Sequence, residues 1–200
     1  MKFQRAQASI IRSIRQLSLF REWLQLRAQK PLPDISDYTP DTRSGDAADI
    51  CINGVEQNGD RLRFKCRKAG VNFEAAFGRP IKGAYLDECL DAGMANAARP
   101  IWDACIANQL PIYSIVPSAD RDGVPVTLEH LYLPFVDEED CSLRMLASIH
   151  AFSEEGRFKR EGLVQQNTSA VPLHWAVIVD PAASLVPKKA VEDDFEIVLT

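Results

Sequence analysis

Long apolar runs are missing from this chain of 200 residues. The longest, Trp175 to Val179, is far short of the ~20 residues a membrane-spanning helix needs. Histidine occurs three times only, and the five cysteines, Cys51, Cys66, Cys89, Cys105 and Cys141, are never spaced C-x-x-C. Scattered and odd in number, they argue against a disulfide framework and a zinc site, and read mostly as small buried apolar residues. No G-x-S-x-G, H-E-x-x-H or phosphate-binding loop is present, so hydrolytic and nucleotide-dependent chemistry lack their usual signatures. Arg12 and Arg15 interrupt the place where a secretory signal would carry its apolar core. The expected compartment is therefore the reducing cytoplasm.

What is present suits one folded domain with extensions: 46% of residues are apolar and 26% charged. The net charge of -5 hides an asymmetry. Residues 1–30 carry seven Lys/Arg against the single acid Glu22, whereas the rest of the chain is strongly acidic. An acidic body repels phosphate backbones, so no nucleic-acid partner is expected.

Residues 1–30 read as one amphipathic helix. Phe3, Ile10, Leu17 and Leu24 recur every seven residues with Ile14 between, while Ile11, Leu19, Phe20 and Trp23 widen the apolar stripe. Pro31 and Pro33 end it, and residues 31–47 read as a proline- and aspartate-rich linker. Strand signals then begin. Ile50-Cys51-Ile52, the turn-prone Gln57-Asn58-Gly59-Asp60, and residues 61–67 predict a half-buried hairpin with Leu62, Phe64 and Cys66 on one face and four basic residues on the other. Val71, Phe73 and Phe77 fit a short helix closed by Gly78, and residues 87–108 a longer one that Pro100 should kink or divide. Residues 112–116, 124–135 and 143–152 read as an antiparallel meander. In the extension 153–200, expected to be partly ordered, residues 173–179 and 195–199 resemble strands and much of 180–194 reads as mobile.

Strand, strand, short helices, long helix and three strands is the element order of a PAS domain, here over residues 48–152. More specific likenesses lie in Trp23-Leu24-Gln25-Leu26-Arg27, Leu32-Pro33-Asp34, the strand 61–67, Phe77-Gly78-Arg79-Pro80-Ile81-Lys82-Gly83 and Leu131-Tyr132-Leu133-Pro134-Phe135. In these the chain resembles a group of stand-alone bacterial PAS proteins with an N-terminal helix. The resemblance implies an α+β fold: a five-stranded antiparallel sheet, helices crossing one face, and a cavity between them. It also implies a non-catalytic sensory or regulatory module that signals through protein contacts. Family members sense small molecules, cofactors or redox state or mediate protein contacts, and many bind no known ligand. A constitutive interaction scaffold with a filled core is therefore the alternative, and fold alone does not choose between the two.

The residues expected to line such a cavity, and to bind a small ligand, are Phe64, Cys66, Phe73, Phe77, Tyr85, Trp102, Ile106, His130 and Tyr132. The cofactor is left open, but neither flavin nor haem is expected. Lys65-Cys66-Arg67 lacks the rest of the Asn-Cys-Arg-Phe-Leu-Gln motif of the flavin-binding members, and residues 87–108 lack the haem-ligating histidine. Cys66 with His130 would make a nucleophile and base only if folding joined them, and an enzyme of that kind is the remotest reading. Asp137-Glu138-Glu139-Asp140 lacks the spacing of a calcium loop and reads as a solvated turn. For the N-terminal helix three uses stay open: pairing with a second copy in a homodimer, packing on its own sheet, or touching an anionic membrane surface. A signalling protein partner is expected in addition.

Overall fold

The computed structural model describes residues 3–28, 30–40, 46–164 and 175–183. Its elements in chain order are β1 (Gln4–Ala6), α1 (Ile14–Arg27), β2 (Ile50–Asn58), β3 (Arg61–Ala69), α2 (Val71–Phe77), α3 (Ala92–Asn108), β4 (Ile112–Ala119), β5 (Pro125–Asp137), β6 (Ser142–Phe152) and β7 (Trp175–Val179). The strands form one sheet in the order β1-β7-β4-β5-β6-β2-β3. The inner run β4-β5-β6-β2-β3 is antiparallel throughout, as expected. Two further strands lie beyond it: β7 pairs antiparallel with β4, and β1 lies parallel to β7, so the sheet has seven strands and is mixed. The strand expected over 195–199 and most of the stretch 180–194 lie outside the described residues.

Alternation along the strands creates two apolar faces, and each is covered by different helices. Phe64, Cys66, Ile112, Val116, Leu128, Tyr132 and Met145 face α2 and α3. Tyr113, Leu131, Leu133, Phe135, Leu146 and Val177 face α1. The helices therefore sandwich the sheet, with α1 alone on the side opposite the other two.

Where the N-terminal helix starts is set by Ser13, whose side chain accepts from the Gln16 N–H. The expected helix over residues 1–30 is thus shorter. Before it lie β1 and a 3-10 turn, Ala8–Ile10, because residues 4–6 bond to β7 instead. Its buried side chains are Gln16, Leu19, Phe20 and Trp23. The Trp23 indole donates to the Pro134 carbonyl at 2.7 Å, and Gln16 Nε2 donates to the Glu129 and Ser148 carbonyls at 3.0 and 3.2 Å. The heptad stripe is split: Phe3, Ile10 and Leu17 pack partly buried against the cores, whereas Leu24 is 38% exposed and the intervening Ile14 85%.

Residues 31–47 do more than link. Leu32 and Tyr38 are buried on the α1 face, the Val136 N–H donates to Pro33 O at 3.0 Å, and Asp34 accepts from Ser36 N and Glu138 N. The hairpin β2–β3 turns at Gly59, whose φ of 60° suits a residue without Cβ, and Gly78 caps α2 in the left-handed conformation. Asp91 caps α3, its carboxylate accepting from Met94 N at 2.9 Å. Pro100 does not divide α3, which runs unbroken to Asn108. Its buried face of Met94, Ala98, Ile101, Trp102 and Cys105 holds it to the sheet, while Pro100 lies on the outer side, in a groove with Phe3 and Asp103.

Candidate functional site

Between the sheet and helices α2 and α3 lies a cavity of about 40 Å³. Its walls come from α2 (Phe73, Phe77), α3 (Met94, Ala98, Ile101, Trp102), the intervening Leu86 and Leu90, and strands β4, β5 and β6 (Ser114, Val116, Leu128, His130, Tyr132, Ala147). Val164 closes it from the C-terminal extension. That segment is held by backbone bonds from Gly162 N to Ala75 O and Val164 N to Ala76 O, and by the Ser118 hydroxyl on Leu163 O.

Five of the nine expected residues meet here: Phe73, Phe77, Trp102, His130 and Tyr132. Phe64, Cys66 and Ile106 are buried in the surrounding core without reaching the cavity wall, and Phe64 packs on Trp102 with ring centroids 5.5 Å apart. Tyr85 sits elsewhere. Its hydroxyl donates to Glu56 at 2.6 Å, and the Arg63 guanidinium lies 3.6 Å from its ring centroid, on the outer face of the hairpin. The alternation of β3 already turns the basic residues outward, and Tyr85 follows Arg63 to that side. Ser114, the main polar group missed, is one of many serines and carries no signal until β4 is placed against β5, where it pairs with His130.

The polar content of the cavity is small and unevenly satisfied. Ser114 is 1% exposed and its hydroxyl has no hydrogen-bond partner among the described residues. The Trp102 indole N–H lies beside the Tyr132 hydroxyl without completing a well-formed hydrogen bond. The His130 and Tyr132 rings stack, with centroids 5.8 Å apart. Burial pushes the Tyr132 phenol well above its ordinary range, so it stays a neutral donor. A buried hydroxyl left without a partner costs about 1–3 kcal/mol. This face of the sheet therefore keeps donors available to a neutral ligand with an acceptor atom.

Charged groups stay outside. Arg63 bridges Asp87 and Glu88 at 3.0 and 2.6 Å, and Arg99 meets Asp87 at 2.8 Å, tying the approach to α3 onto β3. In the acidic turn Asp137 and Asp140 are met by Arg144 at 2.8 and 2.6 Å, and Glu138 by Lys30 at 2.7 Å. Cys66 Sγ lies 3.4 Å from Cys51 Sγ. Among the described residues no cluster of His, Cys, Asp and Glu is arranged to hold a metal ion, and no helix is long and apolar enough to cross a membrane.

A mixed sheet whose five inner strands are antiparallel, with a mostly apolar cavity under crossing helices, is the architecture expected of a PAS domain. The sequence profile described as PAS domain matches residues 11–150, and the chain belongs to that family. The match begins before α1, so the helix on the far face falls within the family's own extent. No curated protein matches the chain. PAS membership suggests a sensory or regulatory module in general terms.

Proposed function

We propose that the chain is a non-catalytic sensor in which occupancy of the helix–sheet cavity is passed through β5 to the N-terminal helix and on to a protein partner. The observation that carries this reading is the placement of β5. His130 and Tyr132 line the cavity on one side, while the carbonyls of Glu129 and Pro134 accept from Gln16 and Trp23 of α1 on the other. A ligand that shifts β5 therefore changes two hydrogen bonds that hold α1. Only unequal affinity for the two arrangements drives such a shift.

The volume bounds the ligand. Drug-sized ligands occupy roughly 300–1,000 Å³, so a cavity of about 40 Å³ takes either a very small neutral molecule or a larger one that parts α2 from the sheet. The same small volume favours a second reading, a constitutive interaction scaffold with a filled core.

Output through a homodimer fits the two stripes of α1. One is used on its own sheet; beside it Ile14 and Leu24 lie exposed, with Leu17 half-buried at the edge of the α1 core. Leu24→Glu should then convert a sedimenting dimer into a monomer.

Mass spectrometry of the purified chain under native and denaturing conditions tests the cavity reading. A native excess that disappears on denaturation, and is absent from Ala98→Val, supports it. A bare native mass, with no binding of phenol or indole added as probes, overturns the sensor in favour of the scaffold.

A further inference from the structure

Two of the cysteines that looked unrelated in sequence are brought together by a bulge. Along the hairpin Asn53 pairs with Cys66, but one residue further Ile52 pairs with Lys68, so Arg67 is the extra residue and Cys51 lies opposite Ala69. Cys66 thus sits diagonally across from Cys51, on the same face, with sulfurs 3.4 Å apart. Both side chains are buried. The Cys51 thiol also reaches Asn53 Oδ1 at 3.3 Å, and Asn53 is itself fixed by donating to Met145 O at 3.2 Å.

We propose that Cys51 and Cys66 form a peroxide-oxidisable thiol pair, closing to a disulfide that staples β2 to the edge strand β3. The geometry asks for little: the sulfurs must approach by about 1.4 Å to reach the usual bond length of about 2 Å. Access is through the rim of the sheet. Among the described residues the outer backbone edge of β3 at Cys66 is bonded to a short strap, Cys66 N donating to Ala84 O and Gly83 N to Cys66 O. The Cys66 sulfur itself faces the helix-covered core at 1% exposure for the residue, so hydrogen peroxide, a small molecule, enters by local opening of that edge.

The two thiols divide the work. Cys66 is held below its ordinary pKa, chiefly by the thiol Cys51 donates to it, whereas Cys51 is held well above by the same bond and by burial. Cys66 is therefore the attacking sulfur. Its thiolate attacks one peroxide oxygen, the O–O bond breaks, and hydroxide leaves as water with the proton Cys66 gave up. The resulting Cys66 sulfenic acid is attacked by Cys51 sulfur. The S–S bond forms, the S–O bond breaks, and the second oxygen leaves as water with the Cys51 proton. In sum, two thiols and one peroxide give one disulfide and two waters. The signal class is a small peroxide, and the proposal is independent of whether the cavity binds a ligand.

The test treats the native full-length chain with hydrogen peroxide, blocks remaining thiols with N-ethylmaleimide, and maps the peptides. The expected result is a linked Cys51–Cys66 peptide, three of five thiols still blocked, and full reversal by dithiothreitol. Cys141→Ser should behave as wild type. In Cys51→Ser the reaction should stop at a Cys66 sulfenic acid that dimedone traps. The proposal is overturned if all five thiols stay alkylatable, if only Cys141 of two chains becomes linked, or if the bond forms only after unfolding. The wild-type mapping stands alone should a variant fail to fold.

Discussion

The two faces of the sheet are built to different standards. Under α1 the contact is tightly anchored, with Trp23 and Gln16 each bonded to strand carbonyls and aromatic side chains filling the space between. Under α2 and α3 the packing leaves a cavity and a thiol pair short of bonding. Among the described residues both faces hold buried polar atoms without a partner, Gln16 Oε1 and Glu129 Oε2 on the α1 side and the Ser114 hydroxyl at the cavity. Proteins pack their interiors closely, so the cavity makes the α2/α3 face the less completely packed of the two. The proposed sensor uses this difference: the α1 face holds the fold together, and the α2/α3 face is the one proposed to change state.

Breaking the stiff face should have the largest effect. Trp23→Ala removes a side chain only 1% exposed together with its bond to Pro134, and should lower stability by about 3–5 kcal/mol in urea denaturation. A loss below about 1 kcal/mol would show that α1 is not part of the folded core.

Next comes the closure of the soft face. Asp120 accepts from the N–H groups of Lys159, Val124 and Asp122, and those bonds, Lys159 foremost, hold its carboxyl below the usual 3.8. Because the folded value is the depressed one, its contribution is present above the ordinary carboxylate range and lost as pH falls through the folded value. Asp120→Asn should therefore flatten the acid limb of the stability curve below about pH 3.8. It should also speed amide exchange in residues 158–164, which carry Val164 into the cavity wall.

The smallest effect should be Ser114→Ala. Removing a buried hydroxyl with no partner among the described residues should change stability by no more than about 1 kcal/mol, in either direction, because no hydrogen bond to those residues is lost. A loss of 2 kcal/mol or more in the same denaturation series would mean that the hydroxyl is already satisfied and that the faces differ less than their geometry indicates.

Much of the fold was legible in the chain because period-two alternation and turn residues carry it. The strand Arg61–Ala69, the meander and the Gly78 cap all follow from local chemistry. The burial of α1 was not. Its apolar residues form two stripes, and heptad spacing says nothing about which of them meets the sheet. The full width of the sheet was legible only in part: the apolar run ending at Val179 announced β7, which pairs with β4, whereas β1 is three residues long and becomes a strand only by pairing with β7. In the site, aromatic residues announced five wall positions, whereas Ser114, Val164 and the Cys51–Cys66 contact depend on register and on a bulge, which no pattern within one strand encodes.

The chain carries three tryptophans, and they sample the molecule at the places that matter: Trp23 on the stiff face, Trp102 in the cavity, Trp175 on β7. The decisive measurement is the set of their indole N–H resonances, in protein labelled with ¹⁵N-tryptophan, during a titration with phenol. A saturable shift is expected at Trp102, accompanied by a smaller one at Trp23 with the same midpoint, both abolished in Ala98→Val. No saturable shift at Trp102, or a shift there that leaves Trp23 unmoved, would contradict a cavity read out through β5.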